Sequence, residues 1–450
     1  MLKVSQFVPA ASTFLVAAAS STAAIGHGGL DRAAWNVSLI LVGLGALLIG
    51  FDSGSRINSA PLGVLRWTLF ILPVYAVFQA LPLPFRWTAL SINPAASWEH
   101  ALRFICYGLA FFTARAAVAR SNDSLWLFTV PVTLVGGFEA LLTLTQESNL
   151  AALNVPHGTY RSRNHVAGLL EMIFPFMVMY AAARLARAKD KGFSVWEALK
   201  FCFAVAIALA VVTAQLRTLS RMGLISLVAA AMIMALLWIP RWHAKNRRRG
   251  AMLIAAALAA ITALIFMLPP QLVERLASLS VGDFSAGERL RIWRESLALI
   301  RDYPVFGCGL GGFETAFARY KDPNLSVADY AHNDYLQYLI ELGPLVWSLA
   351  LFSAGLIVVR VIRYASRPHR REKHFVAAAI SASLVAILVH SFADYNLYIP
   401  ANALVTAWVA GLATALGYRA GPNVTDKLQP VLSRKIKIHC LPSRPSTESA

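Results

Sequence analysis

The stretch HVAGLLEMIFPFMVMYAAARLARAKDK, residues 165–191, decides the fold. From 165 to 186 it is almost wholly apolar, and it closes on Arg184, Arg187, Lys189 and Lys191. At 1.5 Å per residue such a run crosses the ~30 Å hydrocarbon layer of a bilayer as a helix. An apolar run that stops on a cluster of cations is a membrane span ending on the cytoplasmic side.

Comparable blocks fall roughly at 8–25, 36–51, 66–84, 100–119, 124–146, 197–216, 222–239, 250–268, 336–362, 374–392 and 399–418. With 165–186 they predict an all-α, polytopic transmembrane bundle of about twelve spans. A membrane barrel would show ~10-residue segments of alternating polarity instead, and none occurs. Composition agrees, with 57% hydrophobic and 14% charged residues, against roughly 25% charged in a soluble domain. The first block, rich in small residues after Lys3, reads as an uncleaved start signal or as a cleaved signal peptide, and the retained span is the preferred reading.

The formal charge of +18 sits mostly in short loops between apolar blocks, so it signals topology and not a nucleic-acid partner. Arg184, Arg187, Lys189, Lys191 and Lys200 fill one such loop; Arg241, Lys245, Arg247, Arg248 and Arg249 fill the next but one. Arg360, Arg363, Arg367, Arg370, Arg371 and Lys373 fill a third of the same parity. All three are expected in the cytoplasm together with both termini, as Arg434, Lys435 and Lys437 in the tail agree. The chain then divides into spans one to nine (1–268), an outer segment (269–335), spans ten to twelve (336–418) and a basic cytoplasmic tail (419–450) expected to be disordered. Cys106, Cys202, Cys308 and Cys440 lack metal-type pair spacing, so neither a zinc site nor a disulfide is indicated.

The outer segment mixes charges with glycine and aromatics and is expected to fold. Its run 287–303 predicts an amphipathic helix with Leu290, Trp293, Leu297 and Ile300 on the side that rests on the membrane or the bundle, and a turn-rich passage from Pro304 to Gly312 follows. Two short outer loops carry cations against the topology rule: Arg161 and Arg163 in HGTYRSRNHVAG, and Arg217 and Arg221 in AQLRTLSRMGLIS. A guanidinium at a membrane boundary can snorkel to phospholipid headgroups. Two such loops plus Arg289 and Arg291 favour a shared diphosphate site, for which arginine's planar fork is suited.

In AHNDYLQYLIELG, 331–343, His332 and Asn333 open a predicted helix. His332 reads equally as a general base near neutral pH or as a hydrogen-bonding residue at the helix start. Glu341, deep in the apolar run, requires a partner such as an arginine or a backbone donor. In VHSFADYNLYIPANA, His390, Asp394 and Asn396 read as a second polar constellation or, preferred, as a helix stop, turn and restart around Pro400.

These pieces resemble the O-antigen ligase and Wzy-type polymerase superfamily of bacterial envelope enzymes. The matching segments are SRNHVAGLLEM (162–172), TLSRMGLISL (218–227), GERLRIWRESLALIRDYPVFGCGLGGF (287–313), AHNDYLQYLIELG (331–343) and HSFADYNLYIPANA (390–403), in that order through the second half of the chain. The resemblance implies a GT-C-like helical membrane fold in the bacterial inner membrane with its active site facing the periplasm. It implies transfer, without metal or cofactor, of a glycan from undecaprenyl diphosphate to an acceptor hydroxyl on a glycan, a lipid A core or a protein. His332 matches the family's essential histidine, Arg221 its SRGG-type arginine and Arg289 the arginine before Leu-x-Ile-Trp, which makes these three the catalytic candidates. Arg217, Arg163, Arg161, Arg291, Asn333, Glu341, Asn164, His165, His390 and Asp394 are substrate-binding candidates. Met222 stands where the family has glycine, which puts the geometry of that loop in question. Membrane lipids and a chain-length regulator are the further partners expected. A polymerase is favoured over a ligase because nothing marks an acceptor-specific domain. A lipid-linked glycan or anion transporter and a non-enzymatic assembly subunit are the competing classes.

Overall fold

The computed structural model describes residues 4–51, 62–82, 89–121, 124–147, 155–192, 194–238, 287–320, 329–367 and 371–416. In chain order its helices are α1 (Val4–Ile25), α2 (Arg32–Phe51), α3 (Val64–Ala80), α4 (Pro94–Arg120), α5 (Val130–Thr145, led by a 3-10 turn from Leu125), α6 (Arg163–Lys191), α7 (Val195–Arg217) and α8 (Arg221–Trp238). Then come α9 (Gly287–Asp302), the short α10 (Phe313–Phe317), α11 (Asp334–Ser366), α12 (Arg371–His390) and α13 (Pro400–Ala415). Among the described residues nine helices are long and apolar enough to cross a membrane. The chain is a multi-pass membrane protein. The spans expected at 66–84 and 399–418 are the shorter helices α3 and α13, and the one expected at 250–268 lies outside the described residues.

What lets α12 and α6 sit at the centre is their small residues. Ala377, Ala378, Ala379, Ala382 and Ala386 of α12 are fully buried, and Ala167 and Gly168 of α6 are buried too. In lipid, where apolar surface gains nothing by leaving hydrocarbon, close backbone approach through small residues is what holds helices together. Around this pair stand α8, α11, α7 and α5, while α13 packs on α4 and is pinned by Trp408, whose Nε1 donates to the Phe128 carbonyl at 2.8 Å. α1 packs among α2, α4 and α5, burying Val16, Ala19 and Ala23. Outside, Ile40 and Leu47 of α2 and Phe203 and Leu209 of α7 are 57–65% exposed, a surface fit only for lipid.

The helix ends sort by chemistry. Arg184 of α6 pairs with Glu197 of α7, the Arg115 guanidinium of α4 donates to the Thr414 carbonyl of α13, and Ser124 donates to Glu372 of α12. These contacts define one end of the bundle, and the described part of the basic sequence lies there. At the opposite end lie the α1–α2 turn, the 155–162 loop, α9, the start of α11 and the α12–α13 turn, tied by bonds such as Ala401 N to the Gly28 carbonyl.

At that end α11 is broken at Gly343 (φ 72, ψ 165), followed by Pro344. Pro344 has no N–H for the Ile340 carbonyl, so a backbone acceptor is left in the apolar layer, where it must find another donor. The Pro304–Gly312 passage supplies it: Cys308 N donates to Ile340 O at 2.9 Å, and Gly309 N to Glu341 O at 3.2 Å. Gln79 of α3 adds Nε2 bonds to Glu341 O and Phe306 O, at 2.8 and 2.7 Å. The Glu341 carboxylate accepts from Gly311 N, Phe313 N and Gln337 Nε2 at 2.9–3.2 Å, so its partners are backbone donors and an amide. The two segments touch where Gly307 faces the Glu341 carbonyl and Gly343 the Val305 carbonyl; a Cβ on Gly343 would lie 2.2 Å from the Val305 oxygen. Gly343→Ala therefore meets both a left-handed backbone and a clash. We expect a loss of ~2–3 kcal/mol, read as a lower Tm of the detergent-solubilised protein.

Candidate active site

The α12–α13 connection builds the centre of the site. α12 ends at His390, the chain turns through 391–395, and α13 restarts at Pro400, whose missing N–H is no loss at a helix start. The stop-and-restart reading of this stretch is correct, and the turn also presents a side chain. Asp394 is 1% exposed, and Tyr395 N donates to its Oδ1 at 2.8 Å. The turn is fixed to α11 because Asp334 N donates to the carbonyls of both Ser391 and Asp394, at 2.9 and 3.1 Å.

Two imidazoles and a guanidinium from distant parts of the chain converge on that carboxylate. His165 Nε2 lies 3.6 Å from Oδ1, His332 Nδ1 3.7 Å from Oδ1 and Arg289 Nη2 3.7 Å from Oδ2. Burial alone would push the Asp394 carboxyl up. The two imidazoles and the guanidinium outweigh it and hold the group well below the usual carboxylate range, so it stays ionised.

Each partner is placed by local chemistry. Ser162 caps α6 by accepting from Asn164 N at 3.3 Å, which sets His165 in the first turn, and the His165 carbonyl accepts from Asn402 Nδ2 at 2.9 Å. Asn333, and not His332, caps α11: its Oδ1 accepts from Leu336 N at 3.1 Å. His332 just outside the cap has φ 49, a left-handed conformation rare for a residue with a Cβ, and that twist turns its ring toward Asp394. Trp293 Nε1 donates to Ala331 O at 2.8 Å and ties His332's neighbour to α9, which carries Arg289 in its first turn. α9 buries Ile292, Ser296 and Leu299, with Trp293 and Ile300 partly covered. Of the side expected to rest on the membrane or the bundle, Trp293 and Ile300 meet the bundle, while Leu290 and Leu297, 61% and 51% exposed, face away from it.

The Tyr395 ring is the wall between the imidazoles, edge-on to His165 and His332 at 4.6 and 4.9 Å, and Tyr330 stacks on it at 4.1 Å. Burial pushes both phenols up, so they remain neutral.

The other expected residues are at the same end in different settings. Arg221 is the first residue of α8; its neighbour Met222 shares a cavity with Tyr335 of α11 and Phe392 of the turn. The tight approach of α8 to α6 falls one residue later, at Gly223, where a Cβ would come 2.9 Å from Ala167 Cβ, so Met222 in the family's glycine position has room. Arg217 donates to the Leu144 and Gln146 carbonyls and so closes the C-terminal end of α5. Arg161 is exposed, and Arg163 and Asn164 are half-buried in the first turn of α6 or just before it. Their loop is held by Gln146, which accepts from His157 N and Gly158 N, and by Glu139, which accepts from Thr159. Arg291 is exposed and pairs with Glu295 on its own helix at 3.4 Å. His390 is fully buried against Glu171. Among the described residues no group of His, Cys, Asp and Glu is arranged to hold a metal ion.

Residues 203–351 match the family model described as O-antigen ligase. That match shows the resemblance to the O-antigen ligase and Wzy-type superfamily read from the sequence. No curated protein matches the chain. The matched stretch contains Arg289 and His332, whereas Asp394 and His165, which face them, lie outside it.

Reasoning from sequence missed several groups around this cluster. Glu171 carries its own signal, a carboxylate inside an apolar span. Tyr330, Tyr395 and α4's His100, whose ring lies 5.1 Å from that of Tyr398, carry none.

Because the Asp394 carboxyl is held low, its stabilising contribution is fully present above the ordinary carboxylate value of ~4 and is lost as pH falls through the depressed one. Asp394→Asn should lower Tm by an amount that is constant from about pH 5 to about pH 8 and shrinks on further acidification. A difference that widened with acid would contradict the pairing.

Proposed function

We propose that the protein is a glycosyltransferase with a GT-C-type bundle, using undecaprenyl-diphosphate-linked glycan as donor on the periplasmic face of the bacterial inner membrane, with an O-antigen or exopolysaccharide polymerase favoured over a ligase. The observation that carries this reading is the meeting of His332 and Arg289 on one buried carboxylate, Asp394. The cytoplasmic placement of the basic end follows the positive-inside rule and leaves the cluster outside.

With its Nδ1 toward Asp394, His332 has Nε2 for the acceptor. An ionised carboxylate behind an imidazole fixes its tautomer and supports the cation that forms, as in a Ser-His-Asp triad. The acceptor hydroxyl gives its proton to Nε2 as its oxygen bonds to the anomeric carbon. The bond from that carbon to the diphosphate oxygen breaks, and the electron pair leaves with undecaprenyl diphosphate. Arg289, with Arg221, stabilises the charge that builds there. Guanidinium groups thus supply the positive charge this chemistry needs, and we expect a chelator to leave the rate unchanged. A chain-length regulator and the acceptor glycan would approach from the same outer face.

A lipid-linked donor also needs room for its chain. An apolar cavity of about 290 Å³ between α3, α4, α11 and α13 runs from Leu65 and Ala410 up to Asp334, directly beneath the turn that carries Asp394. Gly108 of α4 lines it, and a Cβ there would meet no atom within 4 Å.

Purified protein in nanodiscs, given labelled lipid-linked donor, should form new glycosidic bonds. His332→Ala should cut kcat by ~10²–10⁴-fold and Arg289→Ala by ~10²–10³-fold with the protein still folded; full activity in either variant removes the mechanism, and transport without a new bond would identify a carrier. Gly108→Leu should raise KM for a long-chain donor and leave a short-chain donor unaffected. In cells lacking the protein, single repeats still attached would mark a polymerase, and loss of all attachment a ligase.

A further inference from the structure

Behind the cluster, on the side away from the outer face, lies a polar pair that the mechanism above does not use. Glu171 of α6 and His390, the last residue of α12, are both 0% exposed, and with Glu171 as a carboxylate His390 Nδ1 donates to its Oε2 at 2.8 Å. The remaining atoms of the pair, Glu171 Oε1 and His390 Nε2, have no hydrogen-bond partner among the described residues. An isolated carboxylate and imidazole in the apolar layer are costly to desolvate, and a well-packed apolar pair would serve the fold as well or better. Their value must therefore lie in what the hydrogen bond orients.

What it orients is set by the chain. His390 is the root of the 391–395 turn: its carbonyl accepts from Ala393 N at 3.1 Å, and Asp394 follows. The far side of that turn is already held by Asp334 N on α11. The near side meets α6 at two levels one helical turn apart, through Glu171 on His390 and through Gly168, whose absent Cβ makes way for the Asn396 side chain. The same α6 presents His165 to Asp394. A hydrogen bond between Glu171 and His390 thus sets the height of the turn against the helix that carries one of the carboxylate's partners.

We propose that Glu171 and His390 are positioning residues: their hydrogen bond fixes where the Asp394 carboxylate stands relative to His332, His165 and Arg289. This deepens the reading of that cluster as the active site and rests on it.

The test uses the full-length protein in nanodiscs with the transfer assay, beginning from the demonstration that wild type is active and His332→Ala is not. If that contrast is missing, the active-site reading has failed and not this one. Given the contrast, Glu171→Leu should lower kcat by about 10- to 100-fold with donor KM unchanged, and it should lower Tm because the buried imidazole is left unpaired. The apolar pair Glu171→Leu with His390→Phe should stay folded and slow. Glu171→Gln with His390→Asn keeps an amide donor near the Nδ1 position and an amide acceptor opposite it, and should recover most of the rate. An apolar pair as fast as wild type, or rates that merely track Tm across the series, would show a packing contact and overturn the proposal.

Discussion

A carboxylate with almost no water around it, at the mouth of a membrane bundle, persists as an anion only where cations or donors surround it, and Asp394 has drawn these from three separate parts of the chain. That demand fixes the relative placement of α6, α9, the start of α11 and the α12–α13 turn. The backbone strain at His332 follows from it, since only a left-handed residue just outside the Asn333 cap turns the imidazole inward. The same principle operates further along α11, where the break at Pro344 leaves the Ile340 and Glu341 carbonyls needing donors and the Pro304–Gly312 passage supplies them. Placement in this protein is governed by unsatisfied polar groups in a medium that gives them no solvent.

The helical architecture was legible because bilayer thickness is an external ruler. A run such as 165–186 has no other stable form in lipid, and loop cations mark which ends share a side. His332 and Arg289 were legible because each sits in a local pattern, a histidine before a capped helix and an arginine ahead of a Leu-x-Ile-Trp step. The demand of Glu341 for donors was likewise readable from its position in an apolar run.

Sequence alone did not supply the pairing among these residues. Nothing local in the 391–395 turn says that Asp394, and not His390, faces the open side; that depends on how α12 lands on α6. The roll of α9 was hidden for a different reason. Leu290 and Leu297 are spaced by seven residues and so are Ile292 and Leu299, so helical periodicity supports two overlapping apolar sides and only contact with α10 and α11 selects one. Arg217 illustrates a further ambiguity, since a cation at an outer boundary suits a phosphate or a helix C-terminus equally, and here carbonyls hold it.

The position of Asp394 in the chain bears on how the protein is made. Because the counterion of the cluster comes from the turn after α12, the earlier helices can thread into the bilayer during translation carrying both imidazoles and the guanidinium, yet they have no organised centre until the closing hairpin arrives. A chain that stops short of that hairpin therefore lacks the one carboxylate on which the two imidazoles and the guanidinium meet, and the cluster is completed only by the last pair of helices.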